Sequence, residues 1–344
     1  VRRVPRRLLR ERAPGLPARD CGTAAVSDTL RIGTRGSKLA VAQTTQIAER
    51  IAEAAGCDYE VVRVSTHGDV NRASLREIGG QGVFATELRA TLLGGTVDLA
   101  VHSLKDLPTM PAPGLVLAAH PERANPRDVL VARDGLRLAE LPEGARVGTG
   151  SPRRFAQLRR ARPDLKVVDV RGNIDTRIGY VTSGELDAVV LAAAGLERFD
   201  REQVITDVLP IEEFPTAPGQ GALAVEAREG YLLNALAAVD CQATRTAVEA
   251  ERAVLNGLDA GCQAPVGVHA QVDGTTLAVH AQVYGVDAGV VRICETRVSG
   301  TVALPQPALG ALTARPIASD DVLALARRAV DELLAQGADR LIAQ

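Results

Sequence analysis

The sequence predicts an α/β protein with two doubly wound lobes, followed by a third α+β domain with a three-stranded antiparallel sheet. The strand-to-helix turn at residues 31–37 is nearly repeated at residues 146–151, and the strand segment at residues 95–101 is echoed at residues 184–190. After about residue 266 the pattern changes to period-2 alternation, which predicts antiparallel strands. Glycine-containing turns that open helices can bind anions, so two such turns predict a cleft that holds an anion.

Composition restricts the class of protein. The chain has 344 residues, enough for two or three domains, and no stretch approaches the ~18 apolar residues of a membrane-spanning helix, so we expect no membrane partner. Residues 1–28 hold seven arginines against three acidic residues, which leaves the rest of the chain with a net charge of −6. A net-acidic folded part with 2% aromatic residues predicts no nucleic-acid partner.

Residues 1–28 contain no apolar core of a secretory signal, and we expect a flexible tail or an over-long start, with a transit peptide as the alternative. The cysteines form no C-x-x-C pair and are odd in number, which favours a reducing compartment and predicts a cytoplasmic protein. They are Cys21, Cys57, Cys241, Cys262 and Cys294.

The first lobe is predicted at residues 29–122 and is completed by residues 220–238. Strands that alternate with helices predict a mostly parallel sheet, which binds ligands beyond the carboxyl ends of its strands. The predicted elements are a strand to Ile32, a helix at 38–55 ended by Gly56, a strand at 59–64, a polar stretch at 66–82, a helix at 83–93 and a strand at 97–101.

The second lobe is predicted at residues 127–216. Residues 215–221, rich in proline and glycine, are predicted to form a hinge, after which residues 222–225 return to the first lobe as a strand. The predicted elements of the lobe are strands at 129–131, 146–148, 166–170 and 188–191, with a helix from Pro152 and another before the last strand.

The third domain is predicted at residues 243–344. It consists of a helix at 244–256, alternating runs at 266–272, 277–283 and 290–297, and a final helix at 320–335. The loop between the first helix and the sheet exposes Cys262, a thiol that could be a nucleophile, a metal ligand or inert. No His/Cys cluster at zinc spacing accompanies it, so we expect no metal.

The pair Lys105-Asp106 directly follows the apolar strand at 97–101. At this position the Asp106 carboxylate could stabilise a developing positive charge, or the pair could be an ordinary salt bridge. His102 is expected to form hydrogen bonds within the turn and has no predicted acid–base role.

The second-lobe turn places cations where a helix disfavours them. Ser151 is a predicted N-cap before Pro152, so Arg153 and Arg154 fall in the first helical turn, at the positive end of the helix dipole. This placement favours a bound anion.

Guanidinium groups recur after predicted strand ends. Guanidinium forks bind carboxylates bidentately, so we expect a ligand with several carboxylates. Phosphate is the competing ligand, but no G-x-x-x-x-G-K-[ST] motif is present. The six residues are Arg35, Arg153, Arg154, Arg171, Arg177 and Arg198.

Five segments in order resemble the porphobilinogen deaminase (hydroxymethylbilane synthase) family, from about Leu30 to the last helix. The segments are residues 31–35, 101–106, 171–173, 218–222 and 261–265. The resemblance implies lobes like those of type 2 periplasmic binding proteins and a dipyrromethane cofactor held by a thioether on Cys262. It also implies a monomer that adds four porphobilinogen units to this primer with loss of ammonia. Hydrolysis would then release hydroxymethylbilane to a downstream tetrapyrrole enzyme.

The resemblance also implies roles for residues at matching positions. Asp106 and Lys105 would be catalytic. The cofactor would be bound by Cys262, Arg35, Ser37, Lys105, Thr149, Ser151, Arg153, Arg154, Arg171 and Gly172, and the substrate by Arg35, Arg171, Arg177, Arg198 and Gln220.

The chain departs from the family pattern at Glu77 and Gln81, where lysines are common, and at Gly150, where a serine is usual. We therefore expect no direct carboxylate contact from the loop around Gly79-Gly80 and one lost hydroxyl contact at the second-lobe turn. The main alternative is a non-catalytic solute-binding protein built from the same two lobes. The extra domain with its cysteine loop counts against that alternative.

Overall fold

The structure is a computed structural model that describes residues 2–4, 29–64, 85–230, 234–261, 264–287, 290–304 and 318–342. Most of the predicted tail, the polar stretch with Glu77 and Gln81, and Cys262 itself lie outside the described residues.

Strands followed by α-helices recur in both lobes as predicted, but the strands at Leu99–Ser103, Leu115–Ala119, Asp128–Ala132 and Arg146–Gly148 follow one another without an α-helix between them. The strands are β1 (Arg2–Val4), β2 (Thr29–Arg35), β3 (Asp58–Val64), β4 (Leu99–Ser103), β5 (Leu115–Ala119), β6 (Asp128–Ala132), β7 (Arg146–Gly148), β8 (Lys166–Val168), β9 (Ala188–Ala192), β10 (Asp207–Val208), β11 (Leu223–Arg228), β12 (Val266–Asp273), β13 (Thr276–Asp287) and β14 (Val290–Thr301). The α-helices are α1 (Lys38–Ala55), α2 (Thr86–Leu93), α3 (Pro152–Ala161), α4 (Ile174–Thr182), α5 (Ala193–Glu197), α6 (Gln242–Gly257), α7 (Asp320–Ala335) and α8 (Ala338–Ile342).

The first sheet has the strand order β1-β3-β2-β4-β11-β5. β2 is parallel to β3 and β4, whereas β11 is antiparallel to both β4 and β5. The sheet is therefore mixed instead of mostly parallel, because β11 enters it from the second lobe in the opposite direction. The predicted return strand is confirmed, and β1 adds a short edge strand where a tail was expected.

The second sheet has the order β10-β6-β9-β7-β8. β7 is parallel to β8 and β9, and β6 runs antiparallel to β9. The antiparallel pairing of β6 brings its amino end to the edge where the parallel strands have their carboxyl ends. That edge lies near the carboxyl edge of the first sheet, because Arg154 and Asp128 of the second lobe act on the pKa of Lys105 in the first.

The internal repeat is confirmed at the level of single hydrogen bonds. In the first lobe the Arg31 amide donates to the Asp98 carboxylate at 2.9 Å, and in the second the Arg146 amide donates to the Asp187 carboxylate at 2.7 Å. Each aspartate precedes a strand that pairs with the strand of its arginine, so the echoed segments perform the same local task.

The third sheet, β12-β13-β14, is fully antiparallel and confirms the predicted meander. Its core-facing side packs on α6 and α7, with Leu255, Val268, Val279 and Leu333 buried. The α/β fold with two lobes and a third α+β domain is thus confirmed. No helix in the described ranges is both long enough and apolar enough to span a bilayer.

Candidate functional site

The carboxyl ends of β2 and β4 place the predicted catalytic carboxylate beside an arginine. β2 ends at Arg35, and β4 continues into a 3₁₀ turn at Leu104–Asp106. Arg35 Nη1 lies 3.7 Å from Asp106 Oδ2, and 37% of the Asp106 side chain is exposed. The Asp106 carboxylate therefore forms its ion pair with Arg35 and not with Lys105. Its exposed part remains accessible to a ligand.

Ser37 lies at the start of α1, where its hydroxyl accepts a hydrogen bond from the Ala40 amide at 3.2 Å. The residue is exposed. A hydroxyl that accepts a capping bond still has its proton to donate, so Ser37 can contact a ligand while it caps the helix.

The second-lobe turn has the predicted cap. Ser151 Oγ accepts from the Arg154 amide at 3.5 Å, and Thr149 Oγ1 accepts from the Ser151 amide at 3.2 Å. A Cβ on Gly150 would lie 2.7 Å from the Val170 carbonyl oxygen. Glycine at this position, where the family usually has serine, therefore allows the turn to approach the backbone of Val170 closely.

A buried carboxylate that the sequence did not predict lies behind this turn. Asp128, the first residue of β6, accepts from Arg153 Nη1 at 2.7 Å and from Arg154 Nε and Nη2 at 3.0 and 2.6 Å. Burial by itself would raise the pKa of Asp128, but the two guanidinium groups hold that pKa well below its usual value. Asp128 is therefore the internal counter-ion of both arginines.

Gln220 completes this buried cluster. Its Nε2 donates to Asp128 Oδ1 at 2.8 Å and to the Pro126 carbonyl at 2.7 Å, and its Oε1 accepts from Arg154 Nη2 at 3.3 Å. Gln220 is 1% exposed, so the structure gives it an internal task. Its predicted substrate contact stays a prediction.

Arg153 and Arg154 in the first turn of α3 favour a nearby anion, and Asp128 is such an anion within the chain. The arginines are 3% and 7% exposed, so contact with a ligand carboxylate stays a prediction for both. Asp128 was missed because its place depends on strand direction. The register pairs Asp128 with Ala192 at the carboxyl end of β9, and adjacency in sequence does not reveal that antiparallel pairing.

Lys105 lies where the two lobes approach each other. Burial lowers the pKa of Lys105 to about 8; Asp106 opposes this effect, and Arg154 of the second lobe adds to it. A carboxylate bound next to Lys105 would raise this pKa again and stabilise the charged form of the lysine.

Arg171 and Arg177 add positive charge to the second-lobe edge. Arg177 Nε donates to the Gly172 carbonyl at 2.9 Å, and burial together with Arg154 and Arg171 lowers the pKa of Arg177 to about 10. Arg171 Nε is buried without a hydrogen-bond partner. Gly172 has a φ of 109°, a conformation that favours glycine, so the turn between the two arginines depends on it.

Arg198 contacts the hinge between the lobes. Its Nη2 donates to the Gly221 carbonyl at 2.9 Å, and burial lowers its pKa. The hinge is also held by Glu251 of α6, which accepts from the Gly219 amide at 2.6 Å and from Arg123 at 2.7 Å. The site is thus joined to the third domain through the hinge.

This set of groups fits a ligand with several carboxylates. Burial, with a smaller effect of neighbouring arginines, lowers the pKa values of Lys105 and Arg177, and the buried Arg171 Nε lacks an acceptor. A dipyrromethane that carries acidic side chains would supply both the charge and the acceptors.

Cys262 lies outside the described residues, but the segments beside it are described. The Ala264 amide donates to the Gly261 carbonyl at 2.9 Å, and the Val268 amide donates to the Thr216 carbonyl at 2.8 Å. The strand that follows the Cys262 loop is therefore hydrogen-bonded to the hinge. The hinge in turn contacts Arg153 of the buried cluster through the Pro215 carbonyl.

Two other cysteines in the described ranges, Cys241 and Cys294, are free thiols. Burial raises the pKa of the Cys294 thiol, which makes it a poor nucleophile. In the ranges that the structure covers, no cluster of His, Cys, Asp and Glu could hold a metal ion.

Comparison with known proteins gives consistent matches. The model of the porphobilinogen deaminase dipyrromethane cofactor-binding domain matches residues 30–232, and that of the porphobilinogen deaminase C-terminal domain matches residues 245–309. The porphobilinogen deaminase of Leifsonia xyli is 55% identical over 90% of this chain and 93% of its own. That of Thermobifida fusca is 48% identical over 91% and 95%. The crystal structure of the methionine-binding protein MetQ superposes with a TM-score of 0.40 and 12% identity, over 63% of this chain and 90% of that chain.

Proposed function

Because the chain belongs to the porphobilinogen deaminase family, whose members are hydroxymethylbilane synthases and therefore transferases, we propose the following reaction for it. It joins four porphobilinogen molecules head to tail on a covalent dipyrromethane primer, with loss of one ammonia at each addition. Hydrolysis then releases hydroxymethylbilane, which passes to a downstream tetrapyrrole enzyme.

The observation that carries this proposal is the position of Asp106. Its carboxylate lies 3.7 Å from Arg35, is partly exposed and interacts electrostatically with Lys105. When ammonia leaves porphobilinogen, positive charge develops on the pyrrole ring, and a fixed carboxylate near the ring N–H stabilises that charge. Asp106 would perform this task at each addition.

Lys105 would bind a ligand carboxylate beside Asp106. Although burial lowers the pKa of Lys105 to about 8, this value is still above neutral pH, so most of Lys105 is charged there. A nearby carboxylate raises the charged fraction further. Lys105 thereby helps to hold the reacting ring against Asp106, so both residues of the predicted catalytic pair have a task.

The remaining predicted residues would bind carboxylates of the primer, the substrate and the growing chain. The dipyrromethane, when bound, supplies the free pyrrole carbon to which the first substrate is joined. Arg35 and Arg171 would serve both primer and substrate. Cys262, Ser37, Lys105, Thr149, Ser151, Arg153, Arg154 and Gly172 would hold the primer, and Arg177, Arg198 and Gln220 would serve the substrate.

We also propose a cytoplasmic location. In the described ranges Cys241 and Cys294 are free thiols, as expected in a reducing compartment. Tetrapyrrole precursors with many carboxylates are water-soluble, which suits a reaction in an aqueous compartment.

The intact mass of the purified protein tests this function, together with ammonia release from porphobilinogen. We expect an excess mass of one dipyrromethane on the wild type, located by peptide mapping on the peptide that contains Cys262. Cys262→Ala should fold but lack the adduct and the activity, because a thioether needs sulfur.

Cys57→Ala is the matched control and should keep both adduct and activity. An adduct on Cys57, Cys241 or Cys294 would refute the attachment site. A wild type without adduct and without turnover would identify a solute-binding protein instead.

A further inference from the structure

Tyr284 reaches from the third domain into the second lobe. It lies on β13 with no exposed surface, and its hydroxyl accepts a hydrogen bond from Gln157 Nε2 of α3 at 3.1 Å. The same hydroxyl donates to Gln282 Oε1. Burial raises the pKa of Tyr284 to about 12, so the proton of this donor is retained at neutral pH.

Gln157 connects Tyr284 to the buried cluster that Arg153 and Arg154 form with Asp128. Its Oε1 accepts from Arg153 Nη1 at 2.8 Å, and its Nε2 also donates to the Pro215 carbonyl at 2.8 Å. Because guanidinium groups only donate, the amide oxygen must face Arg153 and the NH₂ group must face Tyr284. Arg153 in turn binds Asp128, so the hydrogen bonds run without a gap from the third domain to the counter-ion of the site.

The backbone of Tyr284 holds the segment after the cysteine loop. Its amide donates to the Pro265 carbonyl at 2.9 Å, three residues beyond Cys262. Close by, a Cβ on Gly267 would lie 2.6 Å from the Pro215 carbonyl oxygen, so the third domain and the hinge are in backbone contact. Tyr284 therefore contacts both Pro265, in the segment after Cys262, and Gln157 on the helix that carries Arg153.

We propose that Tyr284 is a positioning residue that sets the segment at Pro265, which follows Cys262 in the chain, relative to Arg153 through Gln157. This inference rests on the proposed function, in which the primer is attached in one domain and its carboxylates are bound in another. Reacting groups must be held within a fraction of an ångström, and a buried joint between the two domains supplies that precision.

Loss of the hydroxyl leaves Gln282 Oε1 without its donor and Gln157 Nε2 without one acceptor. The primer remains attached to the protein, so we expect its misplacement to act on the joining step rather than on the binding of free porphobilinogen. It lowers the rate of the chemical step instead, and the expected signature is a lower kcat at an unchanged KM.

The test compares Tyr284→Phe with Tyr59→Phe as holoenzymes. Tyr59 is the matched control, because its hydroxyl contacts Glu49 at 3.2 Å in the first lobe, away from the site. We expect Tyr284→Phe to fold and to carry the full dipyrromethane mass. Its kcat should fall about tenfold while KM stays within about twofold, and Tyr59→Phe should match the wild type.

A double-mutant cycle identifies the route of the effect. Gln157→Leu should lose at least as much kcat, because it also removes the Arg153 contact, and the double variant should lose little more than Gln157→Leu, because the Tyr284 hydroxyl acts through Gln157. If Tyr284→Phe does not fold, Gln157→Leu alone decides the matter by the same kcat and KM measurements.

Two outcomes overturn the inference while the proposed function stands. One is a Tyr284→Phe enzyme with a lower melting temperature but wild-type kcat, and the other is fully additive loss in the double variant. Failure of the wild type to bind the primer would instead refute the proposed function, and the two failures are therefore distinguishable.

Discussion

At the scale of single residues, Asp106 performs its proposed task through one negative charge. Replacement by asparagine keeps the volume and removes the charge, so Asp106→Asn should keep the primer and lose about 3 kcal/mol of transition-state stabilisation, roughly a hundredfold in rate. Steady-state kinetics with an intact-mass check measures this. Asp273→Asn, an exposed change at the end of β12, is the control. Activity of Asp106→Asn within a few-fold of wild type would show that the carboxylate is only structural.

Asp128 contributes to the stability of the folded protein as the buried counter-ion of Arg153 and Arg154. With Asp128→Asn, Arg153 and Arg154 lose their buried counter-ion, and uncompensated buried charge typically costs about 3–5 kcal/mol. Urea unfolding at neutral pH should show this loss. Asp164→Asn, which removes a surface ion pair with Arg162, should cost far less. Equal stability of the two variants would contradict the role of Asp128 as counter-ion.

Local interactions made many of the residues of the site predictable. The Ser151 cap follows from a serine before a proline, and its hydrogen bond to the Arg154 amide lies within one turn of helix. Asp128 and Gln157 depend on partners far away in sequence, and the antiparallel pairing that aligns Asp128 with β9 leaves no signal in a single sequence.

At the scale of elements, the hinge depends on Gly221. Its φ is 83°, and an added Cβ would lie 2.5 Å from the Ala124 carbonyl oxygen. Gly221→Ala therefore combines backbone strain with a clash against backbone and should cost about 2–4 kcal/mol, measured by urea unfolding. Gly135 has a φ of 71° with nothing within 4 Å of an added Cβ. Gly135→Ala therefore isolates the strain and should cost less than the hinge variant; the opposite order would contradict the clash.

Long periodic elements were predictable, as were the short strands β6 and β7, whereas β5 and β10 were not. α1, α3 and α7 begin at or within a residue of the predicted positions because caps and periodicity mark them. β5 was missed because five apolar residues between turns carry little information, and the sheets proved mixed because strand direction is a tertiary property. The predicted domain limits at residues 122, 216 and 238 stay predictions.

At the scale of the whole molecule, arginines from different elements should serve different stages of elongation. The chain grows by one ring at each step, so its carboxylates must shift between guanidinium partners while the reacting end stays at Asp106. Arg35→Leu, Arg171→Leu and Arg198→Leu should each accumulate a characteristic intermediate or fail to assemble the primer, at a cost of roughly 2–5 kcal/mol at the affected step. Native mass spectrometry after rapid mixing with porphobilinogen measures the distribution.

The exposed Arg327 on α7 provides the control, and Arg327→Leu should show the wild-type series of intermediates. Equal slowing of every addition in all three site variants would indicate a general electrostatic effect and refute the assignment to stages.

The position of β11 in the first sheet has a consequence for synthesis on the ribosome. β11 lies between β4 and β5, yet it is made only after the whole second sheet, whose strands occupy residues 128–208 without interruption. The second lobe can therefore complete its sheet as it emerges, while β4 and β5 wait with unpaired backbone groups until residues 223–228 arrive. During that interval the nascent first lobe exposes an open sheet edge, at which another unfolded chain could pair.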